Sequence, residues 1–189
     1  ARYTEGRLAL APENQFHQVS VSGNYLLSRS TRTRLSGVYS YGLMLQDDDF
    51  LSYTINPLGA SDPLPTDSLD GKVVLQNAVI KLASQPIRKL HLNASYRLND
   101  RDNKTDQETY EYVTADSNPG STTSVKNKPY SYKQDTCRTD AKYRLHRKAD
   151  LIFGYDKERM DRNHAERNRT DEDTYSAELR TRPMDRVPA

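Results

Sequence analysis

Residues 90–99 of this chain read LHLNASYRLN. Leu90, Leu92, Ala94, Tyr96 and Leu98 share one parity; His91, Asn93, Ser95, Arg97 and Asn99 share the other. Successive side chains of a strand point to opposite faces, so a strand here has one apolar and one wet face. Six further stretches alternate in the same way. Strands are expected near 16–27, 34–45, 73–84, 90–99, 136–145, 149–157 and 174–182. The third is the least regular, because Val79 falls among its polar positions. Most approach the roughly 9–11 residues that a tilted strand needs to cross a bilayer. A helical span is excluded, since no apolar run nears the roughly 18 residues that one requires.

Connection lengths alternate as well. Short turns are expected at 28–32, 84–89 and 146–148, and long polar loops at 46–72, 100–135 and 158–173. Short turns at one end and long loops at the other follow the rule of outer-membrane barrels, whose short turns are periplasmic and whose long loops are extracellular. A soluble meander has no physical reason to sort its loops so. The fold class expected is therefore all-β, an antiparallel up-and-down transmembrane barrel. LASQPIRKL (82–90) and LRTRPMDRV (179–187) form a loose repeat that leaves a strand, places Pro at its fifth position and carries basic residues into the turn. An eighth strand should follow Val187. Seven strands alone leave two unpaired edges, which lipid does not tolerate. With a start at Ala1 rather than Met, this suggests a segment of a larger barrel that does not fold alone.

Composition agrees once the alternation is known. Leu, Ile, Val and Phe number 19, 4, 9 and 3 of 189 residues, below the roughly 20% that accompanies disorder when net charge is high. The net charge is only +2, and the apolar residues are sorted by position. The low hydrophobicity thus reads as polar strand faces and polar loops. Near-neutrality gives no reason to expect nucleic acid.

Residues that could carry chemistry are few. Cys137 is the single cysteine, so neither an internal disulfide nor a Cys-pair metal site can form, and no C-x-x-C-H attaches a haem. His17, His91, His146 and His164 lack metal-ligand spacing. QDDDF (46–50) and DRDNKTD (100–106) look like calcium loops, but Lys104 stands where an EF-hand needs Asp or Asn. No nucleophile, phosphate loop or paired-carboxylate setting points to an enzyme. Tyrosine is abundant, at 13 against 3 Phe and no Trp, and shares the apolar parity, as an interfacial girdle would. Candidates for the lipid-facing side or its girdle are Tyr25, Tyr39, Tyr41, Leu92, Tyr96, Tyr143, Phe153, Tyr155 and Tyr175. Candidates for the lumen are Asn77, Lys81, His91, Asn93, Ser95, Arg97, Arg138, Asp140, Lys142, Arg144, Glu178 and Arg180.

Several longer motifs resemble one family. LAPENQFHQVSVSGNY (10–25), SYGLMLQDDDFLSYTINP (40–57), LPTDSLDGKV (64–73), YRLNDRDNKT (96–105), KPYSYKQDT (128–136) and TDEDTYSAELRTRP (170–183) are similar to the MtrB/PioB family of decahaem-associated outer-membrane proteins. The resemblance implies a porin-like sheath in the bacterial outer membrane. A multihaem c-type cytochrome enters the barrel, an outer-surface cytochrome can dock outside, and electrons cross the membrane through haem c on the partner. The barrel itself binds no cofactor. For the lumen, the resemblance implies contact with the cytochrome, and the charged row 138–144 is the best candidate. Two alternatives stand beside it: a diffusion porin or transporter without a cytochrome, and a soluble extracellular β-domain.

Overall fold

The computed structural model describes Leu8 and residues 10–52, 64–114 and 122–181. Every regular element among them is a strand: β1 (Gln15–Ser28), β2 (Thr33–Gln46), β3 (Gly71–Ile87), β4 (Leu90–Asn103), β5 (Thr109–Val113), β6 (Thr122–Lys126), β7 (Tyr132–His146), β8 (Ala149–Arg162) and β9 (Arg169–Thr181). Seven strands form one antiparallel sheet in the order β1-β2-β3-β4-β7-β8-β9, and β5 pairs with β6. The expected fold class holds: all-β, antiparallel, an open sheet consistent with part of a barrel.

The apolar side chains of these strands do not build a core. Among the described residues no hydrophobic side chain is buried, and Val21, Tyr25 and Tyr175 are 67%, 68% and 78% exposed. A soluble domain folds because it hides such groups. Here the alternation sorts them onto one face of the sheet and leaves that face open.

Two expectations about connections are corrected. The stretch 158–173 is not a long loop: β8 runs to Arg162 and β9 starts at Arg169, leaving 163–168. The stretch 100–135 is not continuous loop either, since β4 runs to Asn103, β7 starts at Tyr132 and the β5–β6 hairpin lies between. The cause is visible at the β8–β9 extension. Beyond the apolar stretch, cross-strand charge pairs replace apolar ones and keep the ladder going. The short turns are tighter than expected, at 29–32, 88–89 and 147–148. Pro86 falls inside β3, at its penultimate position, where a missing N–H is tolerated near a strand end. The second copy of its repeat continues beyond the described residues, as does the strand expected after Val187.

The chain divides into two compact units. The first comprises Ala1–His17, Leu43–Val74 and Asp102–Tyr130. Within it, Asn127 ties down the base of the β5–β6 hairpin: its side-chain oxygen accepts the Glu108 N–H at 2.8 Å, and its amide donates to the Asp106 carbonyl at 2.8 Å. Phe50 meets Tyr110 edge to face, with centroids 5.8 Å apart. The Glu13 N–H donates to Asp48. The second unit comprises Gln18–Gly42, Leu75–Arg101 and Ser131–Ala189 and carries most of the alternating strands.

Candidate functional site

The registers of β4, β7, β8 and β9 build two opposed surfaces in the second unit, row by row. On the apolar parity, Leu90, Tyr143, Leu151 and Leu179 face one another across the four strands. The next row is Leu92, Ala141, Phe153 and Ala177, and the third is Ala94, Thr139, Tyr155 and Tyr175. The Tyr155 and Tyr175 rings lie 5.0 Å apart. A shallow depression of about 850 Å³ between these rows is lined by Leu82, Leu92, Phe153, Tyr155 and Tyr175 among others.

Toward the long connections the same parity changes character. The fourth row is Tyr96, Cys137, Lys157 and Asp173; the fifth is Leu98, Asp135, Arg159 and Asp171; the sixth is Asp100, Lys133, Asp161 and Arg169. Ion pairs join β8 to β9 in each: Lys157–Asp173 at 4.0 Å, Arg159–Asp171 at 2.8 Å and Arg169–Asp161 at 2.6 Å. Outside the apolar rows, the Arg159 guanidinium bonded to Asp171 holds that carboxyl below the usual carboxylate range. Three tyrosine hydroxyls of the apolar parity donate to side chains nearer the long connections. Tyr96 donates to Asp135, Tyr155 donates to Asp173 at 2.6 Å and Tyr39 donates to Gln76 at 2.8 Å.

These tyrosines stand at one distance from the turns. Tyr39, Tyr96 and Tyr155 each lie seven residues past the last turn residue, Arg32, Lys89 and Lys148 respectively. Seven residues span roughly 23 Å along a strand. At a barrel tilt near 40° that is about 18 Å along the membrane normal, close to the apolar band of a barrel once the ring length is added. Tyr25, Tyr41 and Tyr143 share the apolar parity and are exposed at 68%, 43% and 37%.

The opposite surface is mainly polar, with Ile152 an exception. Its rows read His91, Lys142, Ile152, Glu178; then Asn93, Asp140, Gly154, Ser176; then Ser95, Arg138, Asp156, Thr174. The charged row 138–144 is largely neutralised by its neighbours. Arg138 binds Asp156 at 2.7 Å, while Lys142 and Arg144 lie 3.0 and 3.7 Å from the buried Asp150. Asp140 accepts from Asn93 at 2.8 Å, and Arg180 pairs with Glu178 at 3.0 Å. Cations without such a partner lie elsewhere on this face. Arg34 and Lys81 border a depression of about 320 Å³ with Asn93 and Ser95, and Lys81 and Arg97 border another of about 440 Å³ with Ser22 and Asn24. Val79, the irregular residue of β3, lines the second. Among the described residues, no carboxylate pairs with Arg34, Lys81 or Arg97. Arg34 is absent from the lumen candidates, although its polar parity in β2 marked it. Asn77 is exposed on β3, on the parity of Lys81.

No group of three His, Cys, Asp or Glu side chains converges on a metal site among the described residues. His91 opposes Lys142 and Ile152 rather than a second ligand.

A coreless sheet with one apolar and one polar face, bounded by tyrosines, has the surface division of a membrane barrel. Comparison with known proteins decides the class: the family model for outer-membrane β-barrel porins of the MtrB/PioB type matches residues 1–188. This chain belongs to the MtrB/PioB family. Outer membrane protein MtrB of Shewanella baltica (strain OS185) is 36% identical over 177 residues, which cover 94% of this chain and 24% of that relative. The chain thus spans about a quarter of the relative's length. As an MtrB/PioB protein it is an outer-membrane, porin-like β-barrel component, which removes the alternative of a soluble extracellular domain.

Proposed function

We propose that this segment is part of the wall of a sheath that houses a multihaem c-type cytochrome and so supports electron transfer across the outer membrane. Family membership over residues 1–188 carries the reading. The two surfaces give it a physical basis. The apolar rows from Leu90 to Tyr175 take lipid as their solvent, with Tyr39, Tyr96 and Tyr155 at the interface on the side of the long extracellular connections. The polar rows line the lumen and wet a guest protein. Charged side chains cannot do the former, since Arg or Lys facing hydrocarbon at mid-depth costs about 2–4 kcal/mol.

The contact with the guest moves away from the row first favoured. Arg138, Lys142 and Arg144 already hold carboxylates of their own sheet, so they offer little net charge. Arg34, Lys81 and Arg97 offer three cations to carboxylates on the guest, whether acidic side chains or haem propionates. Haem belongs to that guest: covalent attachment needs paired thiols, and Cys137 is alone in this chain. The wall binds and orients; the redox chemistry is the guest's.

The test is isolation of the full-length protein from outer membranes in mild detergent, followed by a haem stain and a visible spectrum. A stoichiometric c-type haem band supports the sheath. A colourless barrel from cells that contain the cytochrome overturns it in favour of a diffusion porin, for which single-channel conductance is then the measurement.

A further inference from the structure

The three short turns share a property that neither surface explains. The first carries Arg29 and Arg32, the second Arg88 and Lys89, the third Arg147 and Lys148, and none carries Asp or Glu. All six residues are exposed. Among the described residues none of the six is ion-paired; the one side-chain bond is from Arg32 to the neutral Gln85, at 3.3 Å. The connections at the other strand ends have the opposite bias, with Asp47, Asp48, Asp49, Asp67, Asp70, Asp106, Glu108 and Glu166 against Lys104, Lys128 and Arg167. The net charge of +2 therefore conceals the uniformly basic character of the short turns.

The basic turns are joined to their neighbours. The Gln85 N–H at the end of β3 donates to the Thr31 carbonyl in the first turn at 2.7 Å, and the Arg144 N–H of β7 donates to the Lys89 carbonyl in the second at 2.8 Å. The strand order places the three turns, with their six cations, along one edge of the sheet. Exposed apolar-parity side chains adjoin it: Leu27, Leu35, Tyr143 and Leu145, at 52%, 36%, 37% and 49% exposure. Measured from the tyrosines, the rim stands at the opposite membrane interface, on the short-turn, periplasmic side. Phosphates of the inner leaflet lie at that level.

We infer that the short-turn rim is a binding surface for anionic phospholipid headgroups of the inner leaflet, held by Arg29, Arg32, Arg88, Lys89, Arg147 and Lys148. Guanidinium and ammonium groups at a membrane surface attract anionic headgroups within a Debye length. Arg adds forked hydrogen bonds to phosphate oxygens. Lipid fits this rim better than an acidic protein does, because the cations emerge directly below apolar rows that face away from the lumen. The inference rests on outer-membrane membership and not on the cytochrome.

The test uses the full-length protein in nanodiscs made from equal parts phosphatidylglycerol and phosphatidylcholine. Lipids retained after mild detergent extraction are counted by native mass spectrometry. Wild type retains phosphatidylglycerol above the bulk ratio, and raised salt lowers the excess. The variant with all six residues changed to Gln, confirmed as folded by heat-modifiable migration, loses a clear part of that excess, whereas changing the four arginines to Lys preserves most of it. If the sixfold variant does not fold, the Arg88→Gln/Lys89→Gln pair lowers the excess in part. Equal retention of both lipids by wild type overturns the inference, as does an unchanged excess in the Gln variants. A Gln variant that keeps its lipid but loses a co-purifying cytochrome assigns the rim to a protein instead. Lipid excess without any cytochrome leaves the rim standing and removes the sheath.

Discussion

Tyr155 donates its hydroxyl to Asp173, one row toward the long connection from Tyr175, the residue directly opposite. Tyr96 makes the same diagonal step to Asp135. The Tyr155 ring thus lies in the last apolar row and the Tyr96 ring at its border, while each oxygen is held by a carboxylate of the charged rows. Tyr155→Phe keeps the ring and loses the tether; Tyr155→Ala loses both. In the full-length barrel, the temperature at which heat-modifiable migration is lost should fall slightly for the first and clearly for the second. Equal loss in both variants would mean that the ring contributes nothing at the interface.

Neighbours along one strand should respond oppositely to charge. Leu92→Arg places a cation in the apolar rows and should cost about 2–4 kcal/mol. Asn93→Arg places it on the polar face beside Asp140 and should change stability by about 0.5 kcal/mol or less. Urea unfolding of the full-length protein from liposomes measures both. Equal costs would sink the assignment of lipid and lumen to these parities.

Asp150 is 6% exposed and serves both Lys142 and Arg144. Asp150→Asn leaves two cations facing a neutral amide. A fully buried pair broken in this way costs about 3–5 kcal/mol. Lys142 and Arg144 are 30% and 52% exposed, so water takes over part of the role and about 1–3 kcal/mol is expected. The same unfolding measurement checks it.

The polar-face cations should matter to the guest more than to the fold. Arg34→Glu/Lys81→Glu/Arg97→Glu should reduce the cytochrome retained in a detergent pull-down while leaving heat-modifiable migration nearly unchanged. Exchanging Arg138 and Asp156 by R138D/D156R keeps their pair neutral and should leave retention as it is. Exposed pairs of this type contribute at most about 1 kcal/mol. Loss in the exchange variant alone would return the contact to the 138–144 row.

The strands legible in the sequence were those with two unlike faces. LHLNASYRLN declares its parity because hydrocarbon and water demand different side chains on alternate positions. The outer parts of β8 and β9 look like loop in the sequence because both of their faces are largely polar. Their signal was of another kind: Lys157 and Asp173, Arg159 and Asp171, Asp161 and Arg169 are each equidistant from residue 165, a mirror pattern of opposite charges that pairs in a hairpin. The β5–β6 hairpin was hidden by its length, five residues on each side. Parity showed that Arg34, Lys81 and Arg97 share a face with Arg138. It could not show which of them had found carboxylates, since that depends on register across strands far apart in sequence.

The equal spacing from turn to tyrosine in three hairpins separates girth from thickness. Each hairpin carries its own measure of the membrane, so the depth a strand pair spans is set within that pair and not by its place along the sheet. Each unit also delivers two cations to the same edge. Three such turns give this segment six cations along one edge.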